Sequence, residues 1–144
     1  MIIRVTKEFD FETAHALDGY NGKCKDIHGH SYHLTVTVKG ETIDDKADPK
    51  DGMVIDFKDL KQIIKSDIEP IFDHRLILRS DSRFKGIEKI NERVRFVDYQ
   101  PTCENMLIEI VQIFIKQLPA DVQLCKVSLR ETANSYSEWI AEDN

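Results

Sequence analysis

An α+β fold follows from three features of the sequence. Two segments near the start alternate apolar and polar residues, two middle segments carry an apolar stripe at helical spacing, and the last third alternates again around a short turn. The order strand, strand, helix, helix, strand, strand predicts a four-stranded antiparallel sheet with two helices on one face. At 144 residues the chain is within the range of one domain, so residues 1–144 are expected to form a single unit.

Each element has its own signal. Ile3, Val5, Phe9, Phe11, Thr13 and His15 share one parity, and Arg4, Thr6, Glu8, Asp10 and Glu12 the other, which is the pattern of a half-buried strand. Lys7 interrupts the apolar face and is expected at a bulge or a rim, while His15 points to the covered side. Asp18-Gly19 and Asn21-Gly22 make residues 16–27 a loop. The second strand places His28, His30, Tyr32, Leu34, Val36 and Val38 on one face and sends His33 to the other. After a polar, turn-rich stretch, Asp56 caps a helix whose stripe is Phe57, Leu60, Ile63, Ile64, Ile68 and Ile71, and Pro70 ends or bends it. A charged, irregular segment from Arg79 to Arg93 follows, and Val94 to Val97 has the composition of a short strand. Thr102 caps a second helix from Cys103 to Leu118, closed by Pro119. Leu124 to Glu131 and Tyr136 to Ala141 then form a hairpin around Ala133-Asn134. The uncovered face is mainly polar, as Thr35, Thr37, Lys126 and Ser128 indicate.

Composition narrows the function classes. Hydrophobic residues make up 41% and charged residues 32%, the balance of a globular protein. No apolar run approaches the ~18 residues of a membrane helix, and the first eight residues carry charge where a signal peptide would be apolar. A cytoplasmic protein without a membrane partner is expected. Twenty Lys and Arg against 26 Asp and Glu leave a net charge of −6, which argues against non-specific nucleic-acid binding. An anionic substrate would have to be met by a local cluster. The three cysteines are odd in number and far apart, so a disulfide framework is not expected.

The histidines carry the first chemical signal. His28 and His30 project from one face of a strand, about 6–7 Å apart, and His15 ends the preceding strand on the covered side. Three imidazoles with an open fourth position suit catalytic zinc, whereas structural zinc takes four protein ligands. Spacing alone leaves a second account open, in which these are hydrogen-bonded core or rim histidines. Cys24 sits in the loop between Lys23 and Lys25; flanking cations favour a thiolate, and loop exposure makes a thiol available. Cys103 and Cys125 fall in packed patterns and are expected to fill the core. Asp73-His74 follows the first helix, where a carboxylate fixes an imidazole tautomer for proton transfer. Glu131 ends an apolar face shared with Cys125, Val127 and Leu129, and a carboxylate there needs an arginine or a guanidine-like ligand. Glu104 in the first turn of its helix is accounted for by the helix dipole.

The phrases AHALDGYNGKCKDIHGHSYHLTV, GMVIDFKDLK, FDHRLIL, PTCEN and RETANS, in this order, resemble the family of 6-pyruvoyl- and 6-carboxytetrahydropterin synthases. The resemblance implies a tunnelling fold, in which subunits join their sheets around a central barrel, commonly as a homohexamer built from two trimers. It implies zinc on His15, His28 and His30, Cys24 as general base, and Asp73 and His74 as the rest of its proton relay. It implies Glu131 as the anchor of a pterin, with Thr102 and Glu104 at the border of the same pocket. Lys23, Lys25 and Arg75 are candidates for a triphosphate because they lie close to these motifs.

Three residues separate Cys24 from His28, the short spacing typical of the bacterial 6-carboxytetrahydropterin synthases; the pyruvoyl branch has a longer gap. The resemblance thus implies a zinc-dependent lyase of the queuosine route, releasing acetaldehyde and triphosphate from 7,8-dihydroneopterin triphosphate. A folate-related branch has Glu in place of the cysteine and is disfavoured. The alternatives are the pyruvoyl reaction, a zinc- and pterin-binding protein without turnover, and a zinc hydrolase that does not need Cys24. The segment from Arg79 to Arg93 is longer than in compact relatives and is expected to alter the pocket rim or a subunit contact.

Overall fold

In the computed structural model, which describes residues 1–144, the first two alternating segments pair along their whole length. Strands β1 (Ile2–His15) and β2 (His28–Glu41) run antiparallel from Ile2 opposite Glu41 to His15 opposite His28. Lys7 stays in register opposite Val36, so the strand has no bulge there. The remaining strands are β3 (Arg75–Arg79), β4 (Val94–Val97), β5 (Gln123–Thr132) and β6 (Ser135–Ile140). They build one sheet in the order β4-β3-β1-β2-β5-β6.

This corrects the four-stranded antiparallel expectation: the sheet has six strands and is mixed, with β3 parallel to both β1 and β4. The reason lies in β3. Leu76, Ile77 and Leu78 are all buried, so the segment has no polar face and no alternation to reveal it. The partner strand β4 is the Val94–Val97 segment. Pairing of β1 with β3 covers only Thr13 to His15, which leaves the rest of that edge of β1 open.

Two helical arms cover one face. The first begins at α1 (Phe57–Ile63), with Asp56 Oδ1 accepting from the Lys58 amide at 2.8 Å. It widens into a π-helical turn (Ile64–Ile68) and closes as α2 (Glu69–Phe72). Helix continues through Pro70 to Phe72, so the proline does not end the arm. Its ring has no N–H and would crowd the carbonyl of Ser66, and the wider turn relieves that conflict. The second arm is α3 (Cys103–Gln117), where Thr102 Oγ1 accepts from the Asn105 amide at 3.3 Å.

The core lies between sheet and helices. Phe11, Tyr32, Leu34 and Val36 from the strands meet Leu60, Ile64, Phe72, Met106, Ile110 and Phe114 from the helices. Phe11 sits in its middle, with ring centroids 5.5 Å from Tyr32 and 5.8 Å from Phe72. Phe11→Ala is expected to cost about 3–5 kcal/mol, read as a lower urea midpoint with an unchanged slope. A smaller cluster of Ala16, Leu76 and Leu78 packs against Phe84, Ile87, Val94 and Phe96. The Arg79 to Arg93 segment thus has its own apolar footing beyond the edge of the main core.

The opposite face is polar, as expected. Thr6 and Thr37 hydroxyls lie 2.9 Å apart, and His33 Nδ1 is 2.5 Å from Asp10 Oδ1. Two irregularities in β5 re-aim side chains. Cys125 is an extra residue between Leu124 and Lys126, so the apolar parity passes from Val127 to Leu124. The expectation that Cys125 shares a face with Glu131 fails for this reason, and its buried thiol takes a hydrogen bond from Arg4 Nε at 3.1 Å. Glu131 is the second extra residue, between Arg130 opposite Tyr136 and Thr132 opposite Ser135. Bulges of this kind commonly turn a side chain toward a site.

Candidate active site and metal centre

Strand register assembles the histidines. His15 and His28 are direct cross-strand partners, and His30 lies opposite Thr13, one diagonal step away on the same face. Ligand nitrogens of all three lie within 4.8 Å of one another. Gly29 faces the other way. A Cβ there would sit 3.3 Å from the Thr13 carbonyl oxygen, so the glycine permits the close approach of β1 and β2.

Hydrogen bonds to the main chain set the ring tautomers. His15 Nδ1 lies 2.6 Å from the Pro101 carbonyl oxygen, and His28 Nδ1 lies 2.8 Å from the Asp26 carbonyl oxygen. A carbonyl only accepts, so each Nδ1 carries the proton and each neutral Nε2 presents a lone pair. Those two Nε2 atoms face each other at 3.0 Å. Burial holds the His15 and His30 imidazoles below the ordinary histidine range, which opposes a proton between them. His30 Nε2 is buried and has no hydrogen-bond partner. The converging lone pairs of His15 and His28 beside the unpartnered His30 nitrogen fit a cation, and three imidazoles would suit zinc.

The depressed histidines have a consequence for the metal-free protein. Above about pH 6.5 both folded and unfolded chains hold them neutral, and their contribution to stability is fully present. As pH falls below that value the unfolded chain takes up protons first, so stability is lost as pH drops through the folded values. Denaturant titrations should show a stable metal-free protein at pH 7.5 and a weaker one at pH 5.5, and added zinc should widen the difference, because only unprotonated imidazoles bind it.

Glu131 reaches the same place. Its Oε1 accepts from the Tyr32 hydroxyl at 2.8 Å and lies 3.6 Å from His15 Nε2 and 3.7 Å from His30 Nε2. Burial and the neighbouring carboxylate push the Tyr32 phenol far above its usual range, so it remains a donor. Glu131 Oε2 makes no hydrogen bond within the chain. A cavity of about 350 Å³ is lined by His15, His28, Cys24, Thr102, Glu104 and Glu131, with Tyr20, Tyr136 and Ser137 among the other walls. Cys24 is half-buried on the single helical turn Lys23–Lys25. Thr102 spends its hydroxyl on the cap of α3, while Glu104 stays exposed at the rim. Cys103 also lines this cavity, but burial raises its thiol and it donates to the Leu129 carbonyl at 3.3 Å, in keeping with a packing role.

Asp73 and His74 stand elsewhere. Asp73 Oδ1 accepts from the Glu12 amide at 2.9 Å, Oδ2 lies 2.9 Å from His74 Nδ1, and the His74 amide donates to the Glu12 carbonyl at 2.7 Å. Partial burial works against the Asp73 carboxylate, and the Glu12 amide and His74 more than offset it, so Asp73 lies below its ordinary range. His74 adopts a left-handed backbone with φ 55°, an uncommon state for a residue with a Cβ. His74 opens on a second cavity of about 440 Å³ with Glu12, His30, Arg75, Asn91 and Arg93. Within one chain, therefore, His74 and Cys24 line different cavities. The proposed triphosphate residues divide as well: Arg75 belongs to the second cavity, and Lys23 and Lys25 are exposed beside Cys24 without lining the first.

Sequence reasoning missed the carbonyls of Pro101 and Asp26, the Tyr32 donor, and the two exposed tyrosines of the cavity wall. Main-chain acceptors leave no mark in side-chain patterns. Tyr32 was legible only as a core residue of an apolar face.

A six-stranded mixed sheet with two helical arms, and three histidines converging beside a cysteine-lined cavity, define a class of α+β proteins with a candidate metal site. The profile of 6-pyruvoyl tetrahydropterin synthase matches residues 4–142. The chain is 36% identical to the 6-carboxy-5,6,7,8-tetrahydropterin synthase of Haemophilus influenzae, over 96% of this chain and 99% of that one. An uncharacterized protein of Wolinella succinogenes has a similar structure, with a TM-score of 0.80, 22% identity and coverage of 98% and 99%. The 6-pyruvoyl tetrahydropterin synthase of Caenorhabditis elegans shares the fold at a TM-score of 0.69 and 24% identity, over 98% and 96%. The chain belongs to the 6-pyruvoyl tetrahydropterin synthase family. No helix is long and apolar enough to cross a membrane.

Proposed function

We propose that the chain is a zinc-dependent 6-carboxy-5,6,7,8-tetrahydropterin synthase, acting on 7,8-dihydroneopterin triphosphate in queuosine biosynthesis and releasing acetaldehyde and triphosphate. The observation that carries this is the convergence of three imidazole nitrogens beside a cavity that His15, His28, Cys24 and Glu131 line, with Glu131 Oε2 free of hydrogen bonds within the chain. The short interval between Cys24 and His28, and the name of the Haemophilus relative, favour the carboxy over the pyruvoyl product.

His15, His28 and His30 would hold zinc through their unprotonated nitrogens. Bound there, zinc supplies a Lewis acid that polarises the side-chain hydroxyls of the substrate. Glu131, held through Oε1 by Tyr32, accepts the ring N–H donors of the pterin through its second oxygen and fixes the ring's orientation. Thr102 and Glu104 border the ring. Cys24 as thiolate takes a proton from the substrate side chain at the cavity mouth.

The proton relay then needs a second copy of the chain. His74, oriented by Asp73, reaches a neighbour's Cys24 across a subunit boundary, and Nε2 is the atom left free to carry the proton. Open edges on β1 and β6 are available for joining sheets, in line with a homohexamer built as a dimer of trimers. Purified, zinc-loaded protein given 7,8-dihydroneopterin triphosphate should release acetaldehyde and triphosphate, and chelation should stop the release. Zinc-loaded protein that binds the compound and releases neither would be a pterin-binding protein instead.

A further inference from the structure

We infer that Arg83 is a positioning residue that clamps the Cys24 loop and aims the His28 imidazole. The inference rests on the zinc and cysteine site proposed above, and it concerns a residue of the Arg79 to Arg93 segment that the reaction itself does not use.

Arg83 spans both ends of the loop. Its Nη2 donates to the Lys25 carbonyl at 2.7 Å and to Asp26 Oδ1 at 2.8 Å, and its main-chain N–H donates to Asp18 Oδ1 at 3.1 Å. The Asp18 side chain is only 8% exposed, and Arg83 Nε, at 3.9 Å, is the cation paired with it. A buried carboxylate deprived of that partner is costly, which ties the loop's first turn to Arg83. The guanidinium rests on the Phe84 ring, 4.5 Å from its centroid, and Phe84 packs on the small cluster of Leu76 and Leu78. The clamp thus has a fixed base.

What lies inside the clamp carries the chemistry. The Leu17 amide donates to the Cys24 carbonyl at 2.9 Å, and the Asp26 carbonyl receives the His28 Nδ1 proton at 2.8 Å. Arg83 holds the carbonyl of Lys25 and the side chain of Asp26, which fixes the peptide plane before Asp26 and the direction of its Cα–Cβ bond. Only the ψ rotation of Asp26 then separates the clamp from the Asp26 carbonyl that orients the His28 ring. The clamp also fixes the residue that follows Cys24. The Arg83–Asp26 pair is exposed on both sides and contributes little to stability, so its loss falls on geometry, while the buried Asp18 carboxylate adds a stability cost when Arg83 is removed. A lysine offers a single point charge in place of the planar fork and cannot serve both acceptors equally well.

The test uses the full-length protein with Arg83→Ala and Arg83→Lys, and Arg79→Ala as a control on the same segment. Zinc affinity is read by chelator competition, loop order by hydrogen exchange of the Leu17 amide, and turnover as kcat and KM on the pterin triphosphate. Arg83→Ala should lower zinc affinity roughly 10–100-fold, as loss of an outer-shell partner does, speed exchange at Leu17, and lower kcat with KM little changed. Arg83→Lys should recover part of the zinc affinity, and it carries the test should the alanine variant not fold. Wild-type zinc affinity and Leu17 protection in Arg83→Ala would overturn the inference, as would an equal loss in Arg79→Ala. Lost zinc affinity in Arg83→Ala, in a protein whose wild type does not turn over the pterin, would uphold the clamp and remove the proposed function.

Discussion

Cys24→Ala is expected to lower turnover of 7,8-dihydroneopterin triphosphate by roughly 10²–10⁴-fold, the usual range for a lost general base, with zinc content unchanged. The separation of effects follows from the geometry. Cys24 lines the same cavity as His15 and His28, but it is not among the three residues whose ligand atoms converge. Its side chain is half-buried in a loop, so truncation leaves no cavity in the core. Metal analysis and steady-state rates on the same preparation check both halves. Turnover that survives the substitution would point to a zinc hydrolase using the three histidines alone.

His28→Ala should have the opposite signature, with zinc lost first and activity as a consequence. His15 and His28 face each other through bare nitrogens at 3.0 Å, a contact that only a cation or a proton relieves. Removing one ring removes both the repulsion and the ligand. The metal-free variant should therefore be no less stable than the metal-free parent, while the response to zinc disappears. At free zinc a hundredfold above Kd, linkage adds about 2.7 kcal/mol to the parent, a rise in Tm of roughly 5–10 °C for a chain of this size. Thermal scans with and without zinc read this directly, and a full zinc-dependent rise in His28→Ala would refute the metal assignment.

Much of this arrangement was legible in the sequence because it follows from parity. Once β1 and β2 alternate, His15, His28 and His30 must share the covered face and His33 must leave it, and the register places the first two opposite each other. Thr102 and Asp56 announced their helices by cap chemistry, and both hydroxyl and carboxylate act as caps. The failures are equally physical. Strand β3 is buried on both faces and has no period to read. The bulge at Cys125 shifts parity by one residue, which no alternation pattern contains. Glu131 was correctly placed at the end of an apolar face, yet its aim depends on a second bulge and on Tyr32, a partner ninety-nine positions away. Arg83 was hidden within a segment that reads only as charged and irregular, and its partners lie 57 to 65 positions earlier. The resemblance joins Asp73 and His74 to Cys24 in one relay, and within the chain His74 and Cys24 line different cavities, a separation that side-chain patterns do not encode.

The measurement that bears most directly on the central claim is mass-spectrometric identification of the product formed by zinc-loaded protein from 7,8-dihydroneopterin triphosphate. The account predicts 6-carboxy-5,6,7,8-tetrahydropterin together with acetaldehyde. A 6-pyruvoyl product without acetaldehyde, or unchanged substrate, would contradict it.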